Sequence, residues 1–303
     1  MQYLIIGAGG TGGSLAAYLA RGGRAVTLIA RGKHLEAIRS GGLRVETPHL
    51  GNFTLPLPVF AQDEYTGRPD VVLQCVKGYS VAETIPFIRR VAGADTVVIP
   101  ILNIFGTGGR MQAELPGVPV MDGCMYVTAS IEAPGTVKMH DKLMRVIFGP
   151  RRPEESHPAL SAIAAEMKDC GITTVLSKNI RHDTLRKFSF ISALAACGLY
   201  YDATAAQIRT GEKREMFIGL VREMEAVATA MGIPFQVDIL QVNLTVLDGL
   251  APDMLTSLQR DEAQGHPSEI DGLLFEPLRM GAAVGVDMPL YARIAARFNY
   301  KTP

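Results

Sequence analysis

Apolar residues occur early in the chain as short blocks and later at helical spacing. Tyr3 to Ile6, Ala25 to Ile29, Val71 to Cys75 and Thr96 to Ile99 are brief, nearly unbroken apolar runs. Such runs are typical of strands covered on both faces. Between them, Thr11 to Arg21 and Val81 to Val91 have helical spacing, with Leu15, Tyr18 and Leu19 on one face of the first. From Val118 to Phe148, strand-like segments alternate with turns such as Pro134-Gly135. Pro158 to Cys170 returns to helix, and Thr173 to Leu176 reads as one more strand. After residue 178 the strand signal stops. Asp183 to Tyr200, Arg214 to Met231, Gln236 to Leu247 and Ser268 to Val284 all read as helices. The pattern predicts an α/β domain with a mostly parallel sheet over residues 1–178 and an all-helical domain over 179–303.

Composition narrows the function classes. The 303 residues include 48% hydrophobic and 20% charged positions, enough apolar material for two packed cores. Thirty basic residues balance thirty acidic ones, so no net charge draws the chain to nucleic acid or an anionic membrane. No apolar run approaches membrane-spanning length; the richest, Phe188 to Leu199, is short and holds two serines. Met1 leads into an apolar strand without a charged stretch or a small-residue cleavage site, so no leader is expected. Cys75, Cys124, Cys170 and Cys197 are far apart. They are expected to be buried thiols in a reducing cytoplasm. The six histidines form no metal-like cluster, and no metal is expected.

Chemistry enters at Gly7-Ala8-Gly9-Gly10-Thr11-Gly12, which follows the first strand and opens the first helix. The spacing is G-x-G-x-x-G. Gly7 permits a tight turn, Gly9 lets backbone approach a pyrophosphate, and Gly12 lets the helix pack close to the strand. The helix N-terminus adds free N–H groups and the positive end of its dipole. The segment predicts a Rossmann-type dinucleotide-binding domain. An NAD site usually carries an acid about 20 residues on, for the ribose 2′-OH. No acid lies between Arg24 and Leu35, and the second strand runs into Arg31 and Lys33. A guanidinium there can bind two oxygens of a 2′-phosphate, so NADP(H) is the expected cofactor.

Further segments extend this reading. They are Val76-Lys77 after the third apolar strand, Asn103 after the fourth, and Pro134-Gly135-Thr136-Val137 followed by His140. Arg186-Lys187-Phe188 and Ser257-Leu258-Gln259-Arg260-Asp261 come next, and then Ser268-Glu269-Ile270-Asp271. In order and separation, together with the glycine segment and Arg31, they resemble the ketopantoate reductase (2-dehydropantoate 2-reductase) family over nearly the whole chain. The resemblance implies NADPH-dependent reduction of ketopantoate to pantoate, on the route to pantothenate and coenzyme A. It implies a Rossmann domain and a helical domain with substrate in the cleft. It also implies that Lys187 is the catalytic lysine and that Glu269 orients it or the substrate. Ser257 would bind substrate, Lys77 and Asn103 would line the nicotinamide end, and Asn103 would also meet substrate. The expected partners are a small 2-oxo acid and at most a second copy of the chain, with no nucleic acid or membrane.

The chemistry fits a lysine. Hydride addition to a ketone builds negative charge on oxygen, which needs a proton or a positive partner. At helical spacing Lys187 shares a face with Phe190, Ile191 and Leu194. Apolar neighbours lower a lysine's pKa, and a carboxylate such as Glu269 opposes that. By spacing alone, a lysine whose stem covers apolar surface fits equally well. Two segments depart from the family pattern. Asparagines are usual four and eight residues after the catalytic lysine, where this chain has Ile191 and Ala195. The family's Gln-Asn-Gly segment is here Leu102-Asn103-Ile104. A site short of hydrogen-bond partners does not reward a substrate hydroxyl. The alternatives are therefore a reductase of another, more apolar 2-oxo acid, or an NADP(H)-binding sensor without catalysis.

Overall fold

The computed structural model describes residues 1–299; the last four residues of the predicted helical domain lie outside it. The chain divides into two compact units. One holds Met1–Leu102 and Gly106–Arg181; the other holds Asn103–Phe105 and His182 onward.

The first unit is built on a five-stranded parallel sheet. Its strands are β1 (Gln2–Ile6), β2 (Ala25–Ile29), β5 (Val59–Phe60), β6 (Val71–Gln74) and β7 (Val97–Pro100), in the order β5-β2-β1-β6-β7. Side chains alternate across a strand, and β1 shows the consequence. Tyr3 and Ile5 enter one core with α1 (Gly10–Arg21) and α5 (Leu160–Asp169), while Leu4 and Ile6 enter another with α3 (Val81–Val91) and α4 (Thr107–Glu114). Burial on both faces explains why these strands read as continuous apolar runs rather than alternating ones.

A second sheet was not foreseen as a separate layer. It runs β10 (Thr173–Leu176), β9 (Thr136–Gly149), β3 (Leu43–Glu46), β4 (Phe53–Leu55), with β8 (Asp122–Ala133) paired antiparallel to β9. The segments expected between Val118 and Phe148 are thus one long hairpin. Its tip is Pro134-Gly135, with Gly135 at φ +79°, the residue pair of a type II turn. The helix α2 (Gly32–Gly41) also lay outside the sequence reading. It is a short helix of mostly polar residues that buries only Leu35 and Ile38.

The second unit is helical, from α6 (Ile180–Tyr201) through α7 (Ala205–Ile208), α8 (Gly211–Ala230), α9 (Ile239–Gly249), α10 (Ser257–Ala263) and α11 (Glu276–Val284) to α12 (Pro289–Ala296). Phe188, Phe217, Leu220, Met224, Leu273 and Tyr291 are among its core residues. The spacing from Ser268 to Val284 predicts one helix, but the structure breaks it. Asp271–Phe275 is a π-helical turn, in which the Glu276 N–H donates to the Asp271 carbonyl. Pro277 supplies the reason: it lacks the N–H that the Leu273 carbonyl would take in an α-helix. Ser192, fully buried, fills the gap by donating to that carbonyl at 2.6 Å, and its Oγ lies 2.7 Å from the Tyr291 hydroxyl.

Among the described residues no helix is long and apolar enough to cross a membrane. Cys124 and Cys197 are buried as expected, whereas Cys75 and Cys170 are only partly so. Both positions follow the regular core elements, after the last residue of β6 and of α5.

Candidate functional site

In the first unit, the candidate residues stand at the carboxyl ends of the parallel strands. β1 lies between β2 and β6, so the order of connection reverses there, and ligands of open α/β sheets bind outside such a point. The segment Gly7 to Gly12 leaves β1 and enters α1. Gly7 has φ +97°, a conformation that disfavours any other residue. Gly12 sits so close to the turn that a Cβ there would lie 1.9 Å from the Gly7 carbonyl oxygen. At Gly9 a Cβ would meet nothing within 4 Å. The two outer glycines are therefore required by the protein's own backbone, and the middle one faces open space.

Gly9 caps α1 without a side-chain hydrogen bond, and the first turn holds no acid. The N–H groups of that turn and the dipole end are thus offered to an anion. Ala8, Gly10 and Thr11 complete the loop. Beneath it, the hairpin comes close: a Cβ at Gly10 would lie 2.5 Å from the Ala129 carbonyl, and one at Gly13 would lie 2.6 Å from the Val137 side chain. Burial pushes the neighbouring Cys75 thiol up, so it packs as a neutral group.

Arg31 follows β2 and caps α2 in extended backbone. Its side chain is 80% exposed and meets Glu83 at 3.7 Å. A long, exposed ion pair contributes little and is readily exchanged for a phosphate. Lys77 follows β6, is half-buried, and caps a short 3₁₀ turn in which the Ser80 N–H donates to its carbonyl at 2.9 Å.

The second unit holds Lys187, Asn103, Glu269 and Ser257. Lys187, on α6, is 7% exposed. Its Nζ donates to Asn103 Oδ1 at 2.7 Å. Asn103 belongs to this unit although it follows a strand of the other. The next residues pack with it: Phe105 stacks near Phe188 at 6.4 Å between ring centroids. The Ile104 side chain occupies the space a Cβ at Gly272 would need, 2.2 Å away. Glu269 is buried, and its carbonyl accepts the Leu273 N–H at the entry to the π turn. Ser257 is half-buried in the first turn of α10, beside the reciprocal cap formed by Thr256 and Gln259. Ile191 is half-buried and Ala195 buried, both apolar as read from the sequence. His140 lies on the hairpin, its Nε2 2.9 Å from Ser130 Oγ in an exposed pair. Among the described residues no group of three or more His, Cys, Asp or Glu is placed to hold a metal.

One participant escaped the sequence reading. His34, on α2, bridges the Ala8 carbonyl and the Gly135 N–H. Its only sequence signal is its place three residues after Arg31.

A parallel α/β unit with this glycine loop, joined to a helical unit holding a buried lysine, defines a nicotinamide-dinucleotide-dependent oxidoreductase. Comparison with known proteins makes the assignment specific. The family model described as Ketopantoate reductase PanE/ApbA matches residues 3–153, and that for the Ketopantoate reductase PanE/ApbA C terminal matches 179–301. The chain belongs to the ketopantoate reductase family, whose members act on CH–OH groups. A 2-dehydropantoate 2-reductase of Mesorhizobium japonicum is 28% identical over 98% of this chain and 96% of its own. The solved PanE/ApbA family ketopantoate reductase of Ralstonia eutropha JMP134 superposes with a TM-score of 0.90 at 25% identity, covering 98% of this chain and 97% of that one. A D-mandelate dehydrogenase solved with NADH and anilino(oxo)acetate shares the fold, with a TM-score of 0.89 at 22% identity over 97% of this chain and 96% of that one.

Proposed function

We propose that this chain reduces a 2-oxo acid to the 2-hydroxy acid with NADPH, that Lys187 is the general acid, and that ketopantoate is the first substrate to test. The observation that carries the proposal is the buried Lys187 ammonium held on Asn103. The Asn103 side-chain oxygen accepts from one of its donors and so helps to hold the ammonium in place. A positioned ammonium meets the negative charge that grows on a ketone oxygen and gives it a proton.

The division of labour follows the chain. Residues 1–178 bind the dinucleotide, and residues 179–303, joined by Asn103, act on the substrate. Gly7 to Gly12 hold the pyrophosphate, which the open space at Gly9 and the uncapped α1 fit. Arg31 meets the 2′-phosphate. Lys77 and Asn103 attend the nicotinamide end, Glu269 orients Lys187 or the substrate, and Ser257 binds the substrate. When bound, the reduced dinucleotide supplies the hydride.

Arg31→Ala is expected to weaken NADPH by about tenfold or more, the loss of a charge-assisted hydrogen-bond pair. NADH binding should hardly change. Fluorescence titration with both cofactors checks this, and an equal loss for both would remove Arg31 from the 2′-phosphate site.

A second reading concerns the substrate. Ile191 and Ala195, four and eight residues after Lys187, and Leu102, next to Asn103, stand where the family usually has polar side chains. This favours a 2-oxo acid with an apolar side chain, and the D-mandelate dehydrogenase relative was solved with an aromatic oxo acid derivative. Initial rates of NADPH oxidation decide between the readings. Ketopantoate should lead a panel of aliphatic and aromatic 2-oxo acids under the first, and an apolar acid should lead under the second. If no member of the panel is reduced, both readings fail.

A further inference from the structure

We propose that His34 is a positioning residue for the dinucleotide, one that sets the direction of the Gly9 N–H in the pyrophosphate loop. The proposal rests on the reading of that loop given above.

His34 Nε2 lies 2.8 Å from the Ala8 carbonyl oxygen, and the Gly135 N–H donates to His34 Nδ1 at 3.0 Å. A backbone N–H meets a lone pair, so Nδ1 carries the lone pair and Nε2 the proton. The ring then donates to Ala8 and accepts from Gly135 at once. Ala8 lies between Gly7, at φ +97°, and Gly9. Its carbonyl and the Gly9 N–H belong to one planar trans peptide and point in opposite directions. Holding the carbonyl on His34 therefore turns the Gly9 N–H the other way. Gly9 is the loop position where added bulk would meet open space.

The far side of the bridge is equally fixed. The Gly135 carbonyl accepts the Arg44 N–H at 2.9 Å, and a Cβ on Gly135 would lie 2.9 Å from Ala37 on α2. Thus α2, which carries Arg31 at its start, is tied through one imidazole to both the loop and the hairpin tip. This gives the Pro134-Gly135 motif a role: it holds the ring that holds the loop.

Two amide substitutions separate the two bonds. A glutamine nitrogen reaches the Nε2 position and keeps the donor to Ala8; an asparagine oxygen sits where Nδ1 does and keeps only the acceptor for Gly135. The experiment titrates NADPH and NADH fluorescence against wild type, H34A, H34N and H34Q, with steady-state KM and kcat for each. H34A and H34N should bind the dinucleotide about tenfold more weakly, the loss of one oriented hydrogen bond. H34Q should stay within about threefold of wild type. The rise in KM for the dinucleotide should exceed the fall in kcat. H34A or H34N binding like wild type, or H34Q as weak as H34A, overturns the proposal. A ¹⁵N spectrum of the wild-type ring, which needs no cofactor, should place the proton on Nε2; a proton on Nδ1 overturns it directly. Failure of the loop reading looks different, because then Gly9→Ala also binds NADPH as tightly as wild type.

Discussion

Lys187→Ala lowers kcat by about a hundredfold or more, the usual loss when a positioned general acid is removed. The effect is expected at every substrate concentration, because the ammonium acts on charge that develops only during the reaction. Dinucleotide affinity should change little, since the loop proposed to hold the pyrophosphate belongs to the other unit and Lys187 belongs to the helical one. Lys187→Arg is the informative companion. It keeps a positive charge, but a guanidinium does not give up its proton at neutral pH. Both variants should therefore lose turnover, while a merely electrostatic role would let arginine rescue most of it. Steady-state rates with the best substrate of the panel, alongside NADPH titration, make the measurement. Turnover in the alanine variant equal to wild type removes Lys187 from the reaction.

The residues that the sequence displayed most clearly are those whose neighbours are close in the chain. The glycine spacing, the bare stretch from Arg24 to Leu35, and β2 and β10 were legible because they depend on local conformation or on apolar runs. The parallel sheet was legible for the same reason: burial on both faces writes an unbroken apolar signature. The second sheet was not, because β3 and β4 are only four and three residues long and leave no period to count. The π turn needed knowledge that Ser192, 81 residues earlier, offers a hydroxyl to the Leu273 carbonyl left without its donor by Pro277. His34 needed the fold as well, since its partners Ala8 and Gly135 are 26 and 101 residues away. The Lys187–Asn103 bond spans 84 residues. Each residue was named from the family resemblance, and only the fold supplied the contact between them.

The glycine loop offers the sharpest separation of stability from binding. Gly12→Ala puts a methyl 1.9 Å from the Gly7 carbonyl oxygen and 3.1 Å from Cys75 Cβ. The first obstacle is backbone, so α1 must shift away from the end of β1. Forced overpacking of this kind costs about 1–3 kcal/mol, against which the better helix propensity of alanine returns up to about 1 kcal/mol. The net expectation is a lower melting temperature by a few degrees and a displaced loop, hence lost dinucleotide binding as well. Gly9→Ala should behave differently. Gly9 has φ −71°, open to any residue, and its added methyl would meet no protein atom within 4 Å. Alanine is a poorer N-cap than glycine by only a fraction of the helix-end energy, so the fold should hold and the melting temperature should stay close to wild type. The methyl stands instead where a pyrophosphate must approach the backbone, and NADPH affinity should fall by about tenfold or more. Thermal melting and NADPH titration on the two variants give a two-by-two outcome. Gly9→Ala with full affinity moves the pyrophosphate off this loop, whatever Gly12→Ala does to stability. Gly12→Ala that melts like wild type shows that α1 has slack, and then the close contact with the Gly7 turn is not what sets the loop's shape.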